Sequence, residues 1–202
     1  MIVKFDHISF TCFLGDEEAA MKEFAGYEQA FCENNVVNLD IKKDFLELDS
    51  HMHDLYMLTK EGGYPIEITS YNQCTEGKNR LHVSGGEFVI KSKDVKETED
   101  FYANLGFVME QQVMRMKPFL DKDAVTIRIE QDGDLSDKTY LDQKGWGILA
   151  FVTDNAERQK RQLDKAGVYT TSVQELPVNG KKLKIFFAES KVGDLVELIG
   201  IR

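Results

Sequence analysis

One stretch, GEFVIKSKDVKETEDFYANLGF at residues 86–107, constrains the fold more than any other. Phe88 and Ile90 alternate with Val89 and Lys91, the two-residue period of a strand. Asp94 then stands at a helix N-cap position, with Glu97 three residues on, close to a capping box. Val95, Phe101, Tyr102 and Leu105 fall at roughly helical spacing and form one apolar face. Gly106 suits the left-handed turn that ends a helix, and Phe107 opens the next apolar run. A strand, a short amphipathic helix and a return strand make a unit whose helix can cover only one face of a sheet.

The same order recurs on either side. Residues 2–12 alternate, with Phe5, His7, Ser9 and Thr11 on one face and Asp6, Ile8, Phe10 and Cys12 on the other. Asp16 is placed to cap a helix predicted to run to about Phe31, with Ala20, Met21, Phe24, Tyr27 and Phe31 inward. Strands follow at 36–41, 53–59 and 64–71, while residues 42–50 carry no clear pattern. On the last strand Glu67, Thr69 and Tyr71 face one way and Ile66 and Ile68 the other. In the middle block, residues 124–130 form a strand with Val125, Ile127 and Ile129 opposite Thr126, Arg128 and Glu130. The last block opens with a strand from Trp146, then a helix capped by Asp154 and ended by Gly167. Strands at 168–173, 183–188 and 195–201 complete it, with a hairpin signal at Asn179-Gly180. Three blocks of β-α-β-β-β character therefore predict an α+β fold of repeated βαβββ modules.

Composition narrows the function classes. A net charge of −10 over 202 residues argues against nucleic acid and against anionic membranes. The N-terminus, MIVKFDHISF, has no apolar run of signal-peptide or membrane-spanning length. Cys12, Cys32 and Cys74 lack CxxC spacing and read as reduced, cytoplasmic thiols.

These motifs resemble the vicinal oxygen chelate superfamily, the group of glyoxalase I, bleomycin-resistance proteins and extradiol dioxygenases. The run from Phe88 through FYANLGF at 101–107 resembles that family's first-module pattern. LDKAGV at 163–168 and GDLVEL at 193–198 resemble its second-module pattern. The resemblance implies mixed sheets curled into an open cup with helices outside. The expected organisation is a first module at 1–75 and a glyoxalase-like domain at 86–202, made of modules 86–132 and 145–202.

In that family a metal is held by a His on a module's first strand and a Glu on its last. Here His7 and Glu67 match, both on the polar face of their strands, and Glu197 matches in the last block. A neutral imidazole with carboxylates suits Zn, Ni, Mn or Fe(II) with open positions for substrate oxygens. The middle block has Glu87 and Arg128 at the corresponding positions, and the last has Gly147 where a His would stand. Either a homodimer supplies a second His7 and Glu67 across a two-fold axis, or the cup binds a ligand without metal. His51 and His53 read as an exposed turn, and Arg128 as a cross-sheet ion pair or an anion-binding group. Tyr71 and Trp146 are candidate aromatics for stacking on a small-molecule ligand. Two functions follow. One is a metal-dependent lyase, isomerase or ring-cleaving dioxygenase with Glu197 as ligand or base. The other is a metal-free protein that sequesters a drug-like or aromatic molecule.

Overall fold

The computed structural model describes residues 1–136 and 138–201. The elements run β1 (Ile2–Phe13), α1 (Glu17–Glu23), β2 (Glu28–Val37), a 3-10 helix (Asp40–Phe45), β3 (Met52–Thr59) and β4 (Ile66–Tyr71). Next come β5 (Leu81–Ser84), β6 (Glu87–Ser92), α2 (Val95–Asn104), β7 (Val108–Glu110), β8 (Val113–Met116) and β9 (Val125–Gln131). The chain ends with β10 (Gly145–Thr153), α3 (Ala156–Lys165), β11 (Tyr169–Thr170), β12 (Gln174–Val178), β13 (Lys181–Glu189) and β14 (Leu195–Gly200). The fold is α+β, with mixed sheets that do not close into a barrel.

The larger sheet runs β11-β13-β14-β10-β1-β4-β3-β2, with β12 paired to β13. The first and last blocks thus join edge to edge, β1 antiparallel to β10. The middle block makes its own sheet, β5-β6-β9-β8-β7. This sheet order departs from the expected grouping of 86–202 as one domain: the strands of 145–202 extend the first module's sheet. The physical reason lies in the outer faces. Phe5 of the large sheet stacks on Phe88 of the small one at 5.2 Å and meets Phe151 edge-on at 5.5 Å. Phe101, Tyr102, Leu105, Met114 and Ile127 join the same core, so the middle block packs onto the large sheet instead of extending it. Each such aromatic, buried fully, contributes about 2–3 kcal/mol.

Local chemistry explains where the elements begin and end. Asp94 accepts a hydrogen bond from the Glu97 N–H at 3.2 Å, as its spacing predicts. Asn155, not Asp154, caps α3, accepting from the Arg158 N–H at 2.8 Å. Asp154 instead takes the N-terminal amine at 2.9 Å and pairs with Arg158. The first helix ends at Glu23, well before Phe31, because Gly26 adopts φ +82° and turns the chain into β2. Phe24, Tyr27 and Phe31 kept helical spacing without being on one helix. The Asn179-Gly180 turn has both φ angles positive, +46° and +71°, and joins β12 to β13 as a tight hairpin.

The two faces of the large sheet differ. Helices α1 and α3 lie on the outer face, contributing Ala20, Ala156 and Leu163 to the shared core. The inner face carries a second cluster, in which Ile41 and Phe45 of the 3-10 helix and Leu141 pack on Ile148, Ala150 and Phe187. The Leu141 N–H donates to the Phe45 carbonyl at 2.8 Å. Asp142 accepts from the Glu47 and Leu48 N–H groups at 2.9 and 2.7 Å. These two segments fill one end of the cup and leave a cavity at the other.

Candidate functional site

The cavity has a volume of about 340 Å³ and lies on the inner face. Four adjacent strands build its floor. Ser9 of β1 is in register with Glu67 of β4. His7 of β1 pairs with Ala150 of β10, and Ala150 with Glu197 of β14. His7, Glu67 and Glu197 therefore converge from three strands that are separated in sequence by up to 190 residues (197 − 7).

A register shift between Phe5 and His7 sets the approach. It sends Phe5 to the outer core, not to the polar face predicted for it, and brings Asp6 to the cavity beside His7. Asp6 Oδ2 lies 3.0 Å from His7 Nδ1 and fixes the ring. His7 Nε2 is buried without a hydrogen-bond partner. It faces Glu67 Oε2 at 3.6 Å and Glu197 Oε2 at 3.8 Å. Thr69 donates its hydroxyl to Glu67 Oε1 at 3.3 Å and steadies that carboxylate.

The electrostatics follow from this packing. Burial alone would depress the His7 pKa, but Glu67, with Asp6 and Glu197, outweighs it and raises the value to about 9. Burial, together with repulsion from Glu67, pushes the Glu197 carboxyl above its usual range, and His7 and Lys42 pull it back in part. His53 is held well below 6.5, first by burial and then by the Lys42 charge.

Of the residues singled out in the sequence, His7, Glu67 and Glu197 come together here. Tyr71 lies beneath them, wholly buried, with its ring 5.5 Å from His53 and at the margin of a small adjoining cavity. Trp146 is elsewhere: it packs on Phe10 and Phe24 at 5.3 and 5.4 Å within the outer core. β1 and β10 present alternate residues to opposite faces, and Trp146 takes the outward one. Arg128 is on the small sheet, ion-paired with Glu130 and, at 3.6 Å, with Glu87. The position equivalent to His7 in the last block is Ile148, not Gly147. Ser9 matches Glu67 as Ala150 matches Glu197, and Ile148 stands two before Ala150 as His7 stands two before Ser9. The last block also supplies, within one chain, a carboxylate that the two-fold reading sought from a second copy.

Three groups were not found by sequence reasoning. Asp6 was assigned to the opposite face because the register shift is silent in the pattern. Lys42 lies in the run without periodicity, yet it is only 8% exposed and lines the cavity. His53 read as an exposed turn, whereas it is buried and lines the same cavity; His51 is exposed as expected.

One imidazole nitrogen and two carboxylates are donor types that a divalent cation takes, and the buried His7 Nε2 has no hydrogen-bond partner. Bonds of ~2.1 Å around a tetrahedral ion put ligand atoms roughly 3.4 Å apart, close to the separations seen here. Among the described residues, no group of three or more His, Cys, Asp and Glu side chains is spaced to hold a metal ion as it stands. The residues fit a cation by donor type, and their side chains would have to close in around it.

No family model and no curated protein matches the chain. Solved structures do. Methylmalonyl-CoA epimerase from Mycobacterium tuberculosis aligns over 98% of this chain and 88% of its own, at 14% identity and TM-score 0.49. A variant of the Streptomyces coelicolor methylmalonyl-CoA epimerase, in complex with 2-nitronate-propionyl-CoA, aligns over 99% and 98%, at 15% identity and TM-score 0.47. Glyoxalase I from Zea mays aligns over 98% of this chain but 68% of its own, at 14% identity and TM-score 0.42. Among the described residues, no helix is long and apolar enough to cross a membrane.

Proposed function

We propose that the inner cavity is the active site of a divalent-cation-dependent enzyme that moves a proton beside a carbonyl group on a small substrate. One observation carries this reading: the buried, unpartnered His7 Nε2 facing Glu67 and Glu197 at 3.6 and 3.8 Å. His7, Glu67 and Glu197 would hold the cation. When bound, it polarises a carbonyl oxygen and stabilises the charge that develops there. Asp6 keeps the His7 ring in one orientation and tautomer, as carboxylates behind ligating histidines do. Glu197 also takes and returns the proton. The apolar walls from Leu55, Met57 and Ile185 exclude water and strengthen every charge interaction inside. Isomerase and lyase chemistry both use such a proton transfer.

A second reading, a protein that binds a small molecule without turning it over, is favoured by Ile148 at the position where a fourth ligand would stand. Deuterium exchange separates the two. Protein loaded with Zn or Mn is incubated in deuterated water with a panel of small 2-hydroxy and 2-oxo carbonyl compounds and followed by NMR. Label entering the carbon beside the carbonyl, abolished by Glu197→Gln, is the expected result. Ligand binding with no exchange across the panel supports the second reading.

A further inference from the structure

We propose that Lys42 and His53 form a carboxylate-binding subsite in this cavity, so that the substrate is a small, apolar-bodied carboxylate; this rests on the cavity being the substrate site.

Lys42 sits on the 3-10 helix that plugs the cup and is only 8% exposed. Among the described residues, no Asp or Glu oxygen lies within 4.0 Å of its Nζ, and no hydrogen bond to Nζ is made. Glu197 feels its charge but lies beyond ion-pair distance, so the ammonium is left open to an anionic partner. This is the more unusual in a chain with 35 acidic residues against 25 Lys and Arg. His53 is 3% exposed, and both of its ring nitrogens are buried without a partner. It stands close enough to Lys42 to feel its charge, and both line the cavity. One cationic donor without an ion pair and one imidazole with both nitrogens unpartnered, lining the same cavity, match the two oxygens of a carboxylate.

The rest of the lining sets orientation and body. Lys42 also borders Glu67 and Glu197 in a small adjoining cavity, so a carboxylate takes the His53 side of its ammonium. Leu55, Met57, Leu176, Val178, Leu183 and Ile185 offer an apolar wall for an alkyl or aryl body.

The test uses two probes of one shape, hexanoate and hexanamide, titrated calorimetrically into the purified protein, with metal content measured on every sample. Wild type is expected to bind hexanoate at least ~10-fold more tightly than hexanamide, the worth of a charge-assisted hydrogen bond. In Lys42→Met the two probes should bind within about twofold of each other. Lys42→Arg should recover part of the preference, and His53→Phe should lose part of it. Circular dichroism confirms that each variant is folded. Equal binding of both probes, binding of neither at about 10 mM, or a preference kept in Lys42→Met overturns the proposal. Failure of the metal reading looks different: a wild type without cation that still prefers hexanoate through Lys42.

Discussion

The first and last modules repeat one plan and differ at a position that faces the two carboxylates. In each, the first strand lies parallel to the last, and the last places a carboxylate at matching register, Glu67 opposite Ser9 and Glu197 opposite Ala150. The first module adds His7; the last has Ile148, buried within the inner apolar cluster. Topology alone therefore brings two carboxylates into one cavity. A single side chain decides which half carries the nitrogen donor and which half is dry wall. The middle module keeps the plan but pairs with neither, and its equivalent residue, Arg128, is spent on ion pairs with Glu87 and Glu130.

The largest way to break this comparison is at His7. His7→Ala should lower cation affinity by at least about 100-fold, since it removes the nitrogen donor and idles Asp6. Ile148→Ala, the same truncation in the other half, should leave cation binding and cost about 2–4 kcal/mol of stability by opening a cavity. Metal titration and urea unfolding of the pair read both. Next, Ile148→His restores the missing symmetry; it should tighten cation binding by about tenfold if the two halves are equivalent in reach. Smaller is the junction of the middle and last modules, where buried Asp194 accepts hydroxyl hydrogen bonds from Thr98 at 2.6 Å and Ser190 at 2.8 Å. Thr98→Val should cost about 1–3 kcal/mol and leave the cavity unchanged, measured by unfolding and by cation titration. The smallest concerns Cys12, whose thiol is pushed up to about 12 by burial and then by nearby Glu17. At pH 8 it should stay unmodified by iodoacetamide in the native protein and react on unfolding, as mass spectrometry would show.

Much of this was legible because it is local. The Asp94 cap, the Gly106 stop and the apolar face of α2 are written within twenty residues, and the structure matches them. His7 and Glu67 could be placed on polar strand faces because strand period is also local. The pairing of blocks was not legible. Which strand edges join depends on how whole faces fit, and Phe5 against Phe88 decides it across 83 residues (88 − 5). The shift beside His7 was silent for a different reason: an extra residue in a strand leaves the composition unchanged and moves only the faces. Lys42 and His53 were missed because a charged or polar residue in an irregular run looks the same whether it meets water or a cavity. The first helix was overdrawn because Phe24, Tyr27 and Phe31 keep a helical spacing on both sides of a glycine turn.

The most direct measurement is elemental mass spectrometry on protein purified without chelator or affinity tag, beside the double variant His7→Ala/Glu67→Ala. The account predicts about one Zn, Ni, Mn or Fe per chain in the wild type and none in the variant, with both folded by circular dichroism. A wild type that takes up no metal after reconstitution under reducing conditions, or a double variant that retains it, would contradict the central claim.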